Sequence, residues 1–156
     1  MESNLSIIEN CIENINSMSP LQIRDSIQEV EDRMARHPSA KFGDSCPLVH
    51  NFAKGIYIRE MCTPPNYVIT TKIHKNSHAT FILSGEVLVI EENGVKTINH
   101  PCYFITKPNT KRLIICKTAV SWVTVHHTHL TNIKDIEEEI ISKTFTDKEA
   151  TPCHSH

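Results

Sequence analysis

Apolar residues along this chain recur with two different periods. In the first 18 residues Leu5, Ile8, Ile12 and Ile15 return every three or four positions, the spacing of one helix face. Ser19-Pro20 then reads as an N-cap followed by proline in the first turn, and Ile23, Ile27, Val30 and Met34 form a second apolar stripe. That second helix must stop near His37-Pro38, because the residue before a proline is pushed out of the helical region. Its stripe needs a partner. The domain's own sheet is the simplest one, and a dimer contact is the other.

From Gly55 to Thr128 the period drops to two. The runs GIYIREMC, YVITTKIH, ATFILS, EVLVIEE, TINHPCYFIT, RLIICK and AVSWVTVHHT are separated by Pro64-Pro65-Asn66, Asn93-Gly94 and Lys107-Pro108-Asn109. Short strands at this spacing predict an all-β sandwich or barrel, with Asn93-Gly94 the strongest hairpin signal. After Thr131 the helical period returns in Ile133, Ile136, Ile140 and Ile141, capped by Thr131 or Asn132, with Asp135, Glu137, Glu138 and Glu139 on a solvated face. The chain thus divides into an N-terminal helical segment (1–40), a barrel (44–130), a C-terminal helix (131–145) and a flexible tail (146–156). Cys153, His154 and His156 in that tail offer metal-ligand chemistry, but a flexible end is the simpler reading.

A length of 156 residues with 39% hydrophobic residues fits one domain with one core. The formal charge of −2 gives no basic face for a nucleic-acid polymer. The six cysteines show no paired spacing, no secretory leader precedes them, and no apolar stretch approaches the roughly 20 residues that span a membrane. These features predict a soluble, cytoplasmic protein with free thiols. Cys62, Cys102 and Cys116 read as core fillers, with Cys62 also a candidate thiol ligand. The 10 histidines change the picture more, since their charge changes near neutral pH.

Two of them, His74 and His78, lie in KIHKNSHATFILSGEV. The stretch ending in ILSGEV resembles the first sequence motif of the cupins, a superfamily of small jelly-roll β-barrels. There a histidine pair is followed by a glutamate seven residues before a glycine. Counted back from Gly85, His74 matches the second motif histidine, His78 takes the glutamate's place, and Lys72 replaces the first histidine. KPNTKR resembles the second motif, with Asn109 for its glycine and Arg112 near its histidine. Asparagine can supply the left-handed turn that glycine usually provides. CPLVHNFAKGIYIREM, KIHK..H, KPNTKR and W.TVH.T are further similar to small cupin-like proteins encoded by bacteriophages, over roughly residues 44 to 142. The resemblance implies a cupin-like jelly-roll barrel with N-terminal helices and a C-terminal helix, a homodimer or higher homo-oligomer. For a phage protein it implies the cytoplasm of an infected cell.

Strand alternation asks which side chains share a face. Lys72 and His74 fall together, as do His78 and Thr80, and Trp122, Thr124 and His126. If these faces line the barrel, Lys72, His74, His78, Arg112 and His126 converge, joined by Tyr57 and Arg59. His50, His100 and His129 fall to loops.

Three readings of that pocket compete. His74, His78 and His126 can ligate a divalent metal as a cupin enzyme would. Alternatively, Lys72, Arg112 and the imidazoles form an electropositive site for a small anion, with Tyr57, Tyr103 or Trp122 to stack on a ring. The phage resemblance makes a nucleotide-type host-defence signal, bound or cleaved, the candidate ligand. Within this reading, His78/Thr80 and His126/Thr128 resemble the histidine-x-threonine pairs of two-histidine phosphoesterases, which cleave phosphodiesters without metal. Finally, the histidines can simply mark strand ends of an interaction module. The sequence leaves binding and catalysis open.

Overall fold

The computed structural model describes residues 13–99 and 101–145. Leu5, Ile8, Ile12, His100 and the tail 146–156 lie outside the described residues. Helix α1 spans Pro20–Ala35, and its start is a full capping box: Ser19 Oγ accepts from the Gln22 amide while the Gln22 side chain accepts from the Ser19 amide. The strands are β1 (Leu48–Ala53), β2 (Ile56–Thr63), β3 (Val68–Thr70), β4 (Ile73–His74), β5 (His78–Ser84), β6 (Glu86–Glu91), β7 (Gly94–Asn99), β8 (Cys102–Thr106), β9 (Leu113–Cys116), β10 (Val120–His127) and β11 (Ile141–Ser142). Helix α2, Ile133–Ile140, runs straight into β11. Asn132 caps it, its Oδ1 accepting from the amides of Lys134 and Asp135.

The pairing is nested. β2 pairs with β10, β3 with β9, β5 with β8, and β6 with β7, all antiparallel. A long hairpin rolled up in this way is a jelly roll. It yields a five-stranded sheet in the order β1-β2-β10-β5-β8 and a four-stranded sheet in the order β3-β9-β6-β7, with a small β4–β11 ribbon at one end. Gly94 (φ 113°) makes the β6–β7 hairpin, and Asn109 (φ 60°) adopts the left-handed turn expected of it. Gly85 between β5 and β6 has φ 94°, and a Cβ there would stand 2.3 Å from the Ala119 carbonyl oxygen, so no other residue fits.

The sheets enclose Ile82, Val87, Val89, Ile114, Cys116, Val120 and Trp122. On the outer face of the four-stranded sheet, Ile23 and Ile27 of α1 pack on Ile90 and Leu113, so the helix stripe is covered by its own domain. Among the described residues nothing covers the outer face of the five-stranded sheet in this way: Leu83, Ile105 and Tyr103 are 56%, 64% and 76% exposed.

Two sequence expectations need correction. Strand β1 was not among the runs, because its side chains, apart from half-buried Leu48 and His50, are exposed and so lack an apolar alternation. His50 therefore belongs to a strand rather than a loop. Cys62 is exposed and not a core filler, because the parity of β2 that turns Tyr57 and Thr63 inward turns Cys62 outward; Cys116 is buried and Cys102 half-buried. No helix among the described residues is long and apolar enough to cross a membrane.

Candidate metal centre

The inward residues of the five-stranded sheet stack in layers. Register places Met61, Trp122 and Ile82 side by side, then Arg59, Thr124 and Thr80, with Phe104 beside Thr80. Beyond these come Tyr57 and His126, which are partners, and His78 and Thr106, which are partners. His74 joins from β4. Its backbone is held by β11, since His74 pairs with Ile141 and the Lys75 amide donates to the Ile140 carbonyl.

This brings the three expected ligands together. Ring centroids are 4.3 Å apart for His74 and His78, 4.5 Å for His78 and His126, and 4.9 Å for His74 and His126. One ring nitrogen from each lies within 4.8 Å of the others. Nitrogens around a tetrahedral zinc stand about 3.4 Å apart, given bonds of ~2.1 Å. The cluster is thus compatible with a shared metal ion.

The hydrogen bonds also favour ligation. His78 Nδ1 sits 3.4 Å from the Asn76 carbonyl, to which it can only donate, leaving Nε2 with its lone pair. His126 Nε2 is 3.0 Å from Thr124 Oγ1, which leaves Nδ1. His74 Nε2 is buried with no hydrogen-bond partner at all. An orphaned buried ring nitrogen costs free energy unless something fills the missing contact, and two more imidazoles pack beside this ring.

All three rings are held neutral. Burial is the largest cause, and it lowers His74 to about 2 and His126 to about 3, with His78 lowered as well. For His74, proximity to His78, His126, Arg59 and Arg112 adds to the effect; for His126, His78 and Arg59 do. The neutral imidazole is the form that binds metal.

Two cations expected beside the triad are neutralised. Arg112 is buried, its Nε donating to Glu91 at 2.8 Å and its Nη1 to Thr106 Oγ1 at 3.2 Å, while Lys96 holds the other Glu91 oxygen at 2.7 Å. Glu91 was not foreseen as a site residue, yet its position carried a signal: Val87, Val89 and Glu91 share the inward parity of β6. Lys72 is exposed at the rim and pairs with Glu137 of α2 at 2.9 Å, outside the pocket. The chain leaves strand geometry after Thr70, so alternation does not carry Lys72 and His74 together. The expected solvated face of α2 is thus partly used for docking.

Other expected site residues fall elsewhere. Trp122 is four residues from His126 along β10, about 13 Å, in the apolar core with Phe104 edge-on to it. Thr80 Oγ1 is bonded to Thr106 Oγ1 at 2.7 Å, one layer beneath His78. Thr128 lies past the end of β10, where it donates to Glu139 and accepts from the Leu130 amide, so it does not continue the face of His126. Tyr57 does line the site: it stacks on His126 at 5.9 Å, its hydroxyl meets His50 Nδ1 at 2.7 Å, and Ile136 and Ile140 of α2 cover it. A depression of about 200 Å³ opens beside His126, lined also by Asn76, Ser77, His127 and Ile140.

No protein-family model and no curated protein matches the chain. Among solved structures it is similar to a cupin superfamily protein from Desulfitobacterium hafniense, with 8% identity, coverage of 56% of this chain and 81% of that one, and a TM-score of 0.46. It is also similar to an RmlC-like cupin family protein with a double-stranded β-helix fold from Methanocaldococcus jannaschii, with 14% identity, coverage of 57% and 88%, and a TM-score of 0.43. A cupin domain from Bordetella pertussis gives 14% identity, coverage of 55% and 99%, and a TM-score of 0.42.

Proposed function

We propose that this chain is a metal-dependent cupin-type protein that holds one divalent transition metal on His74, His78 and His126 and takes a small anionic ligand at the position the protein leaves open. The observation that carries the reading is the orphaned Nε2 of His74 within a cluster of neutral, buried imidazoles whose donor atoms lie within 4.8 Å of one another. Three imidazoles suit zinc, iron, nickel or manganese. They bring no charge, and the buried carboxylate near them, Glu91, is committed to Arg112 and Lys96. The full charge of the ion therefore remains for an anion to balance. Such an ion, when bound, polarises a ligand oxygen or lowers the pKa of a bound water. Tyr57 and Thr124 orient His126, Asn76 orients His78, and Ile136 and Ile140 keep water from that side of the site.

The nucleotide-type ligand and the role in an infected cell rest on the phage resemblance together with the expected positive charge of the pocket. A base needs a free aromatic face, and Trp122 is enclosed in the core, Tyr103 faces outward, and Tyr57 is stacked on by Phe52, His50 and His126. The metal-free phosphodiesterase reading needs free threonine hydroxyls, and both are engaged.

The test is elemental analysis of the protein purified without chelator, with thermal shifts in zinc, iron(II), manganese, nickel and cobalt. The expected result is about one ion per chain, absent in His74→Ala. A metal-free protein with no thermal shift in any of these ions would overturn the reading. The homodimer or higher homo-oligomer expected from the sequence would have a surface to use in the outer face of the five-stranded sheet, where a two-fold axis would lay the exposed Leu83, Tyr103 and Ile105 on their own copies. Ile105→Asp should then sediment as a monomer, and a monomeric unaltered protein refutes the pairing.

A further inference from the structure

The other cations near the triad or at the barrel rim are held by acceptors, Lys75 by the Glu138 carbonyl and Lys96 by the carboxylate that also holds Arg112. Arg112 has Glu91, Lys111 has Glu31, and Lys72 has Glu137. Arg59 differs. It lies on the inward parity of β2 between Tyr57 and Met61, its register partner on β10 is Thr124, and Thr124 is hydrogen-bonded to His126. It is half-buried, and no hydrogen bond or ion pair satisfies its guanidinium among the described residues. Its charge acts on the rings of both His74 and His126. A glutamine or an aliphatic residue would fill this position without the cost of partly desolvating an unpaired charge. Placing a metal ion on the triad raises that cost, since a second positive centre then faces the first.

Resting on the metal reading above, we infer that Arg59 is the residue that selects the ligand: its guanidinium grips the terminal oxyanion, carboxylate or phosphate, of a small molecule that reaches the open side of the His74–His78–His126 set. A guanidinium holds either group through two parallel hydrogen bonds. The anion then balances Arg59 and the metal together, so ion and ligand bind with positive coupling.

Cobalt(II) supplies a visible spectrum that reports its coordination. The cobalt-loaded protein is titrated with oxalate, succinate and inorganic phosphate, alongside Arg59→Gln and Arg59→Lys. At least one of the three anions should perturb the spectrum. Its affinity should fall about 10- to 100-fold in Arg59→Gln, the scale of losing a charge-assisted pair, and less in Arg59→Lys. Cobalt affinity without anion should be unchanged or higher in Arg59→Gln. Which anion responds separates carboxylate from phosphate. Equal anion affinity in all three proteins, or no anion bound by the unaltered one, overturns the assignment of Arg59 and leaves the metal site standing. Failure to bind cobalt overturns both. Arg59→Lys keeps the charge and so serves as the folded control.

Discussion

Strand β10 runs through both ends of the barrel. At one end its Trp122 packs among Ile82, Val87, Val89, Ile114 and Cys116; four residues on, His126 stacks against His74 and His78. The strands and their spacing are the same, but burial has opposite sign at the two ends. An apolar side chain gains about 1.5–3 kcal/mol on leaving water. A buried imidazole without a partner, or a guanidinium enclosed with a carboxylate, costs free energy that only specific contacts offset. The difference teaches that the apolar end holds the fold, while the polar end is carried by it and, on the function proposed above, is kept for binding.

The comparison breaks most visibly at Trp122. Trp122→Ala should lower stability by about 3–5 kcal/mol in urea unfolding, and a loss below 1 kcal/mol would show that the core lies elsewhere. At the polar end the largest structural loss should come from Glu91→Leu, which strands the Arg112 charge and costs about 3 kcal/mol. The double variant Glu91→Leu with Arg112→Met should recover most of it. If it does not, the pair stabilises the fold rather than merely being tolerated.

Acid gives a smaller effect per step. The folded His74 and His126 resist protonation to about 2 and about 3, against an ordinary 6.5, so the unfolded chain takes up protons first as pH falls. Their contribution to stability is complete above about 6.5 and is lost progressively below it, by about 1.4 kcal/mol per pH unit for each neutral ring. That loss levels off once the folded rings protonate. Unfolding midpoints of the chelated protein between pH 7 and 4 should show this slope, and a His74→Leu with His126→Leu variant should have a shallower one. The smallest effect is that of His74→Leu alone at pH 7.5. Without metal it removes an orphaned nitrogen and should change stability by less than about 1 kcal/mol, while abolishing the thermal shift in added metal. A loss of several kcal/mol would assign His74 to the structural end.

How much of this was legible follows from the range of each signal. Period two and the turns at Asn93-Gly94 and Asn109 are local, and they gave the barrel. Alternation placed His78 and His126 on inward faces, which the pairing of β5 with β10 in the rolled-up sheet makes adjacent. Lys72 was misplaced because its fate depends on Glu137, 65 residues away, on a helix whose docking no local pattern reveals. Thr128 was misplaced because the strand ends one residue before it. Glu91 was readable and overlooked: a carboxylate at the inward parity of an otherwise apolar strand calls for a buried cation, and Arg112 answers it.

The β4–β11 ribbon sets a schedule for the molecule's birth. His78 and His126 sit on strands that can pair once β10 has been made, but His74 is held through Ile141 and Ser142, which are made after β10. A nascent chain can therefore close its apolar end while its third histidine is still unfastened. On the metal reading, loading would wait until Ile141 has been made, and a chain cut before Ile141 should fold its barrel and remain unable to load.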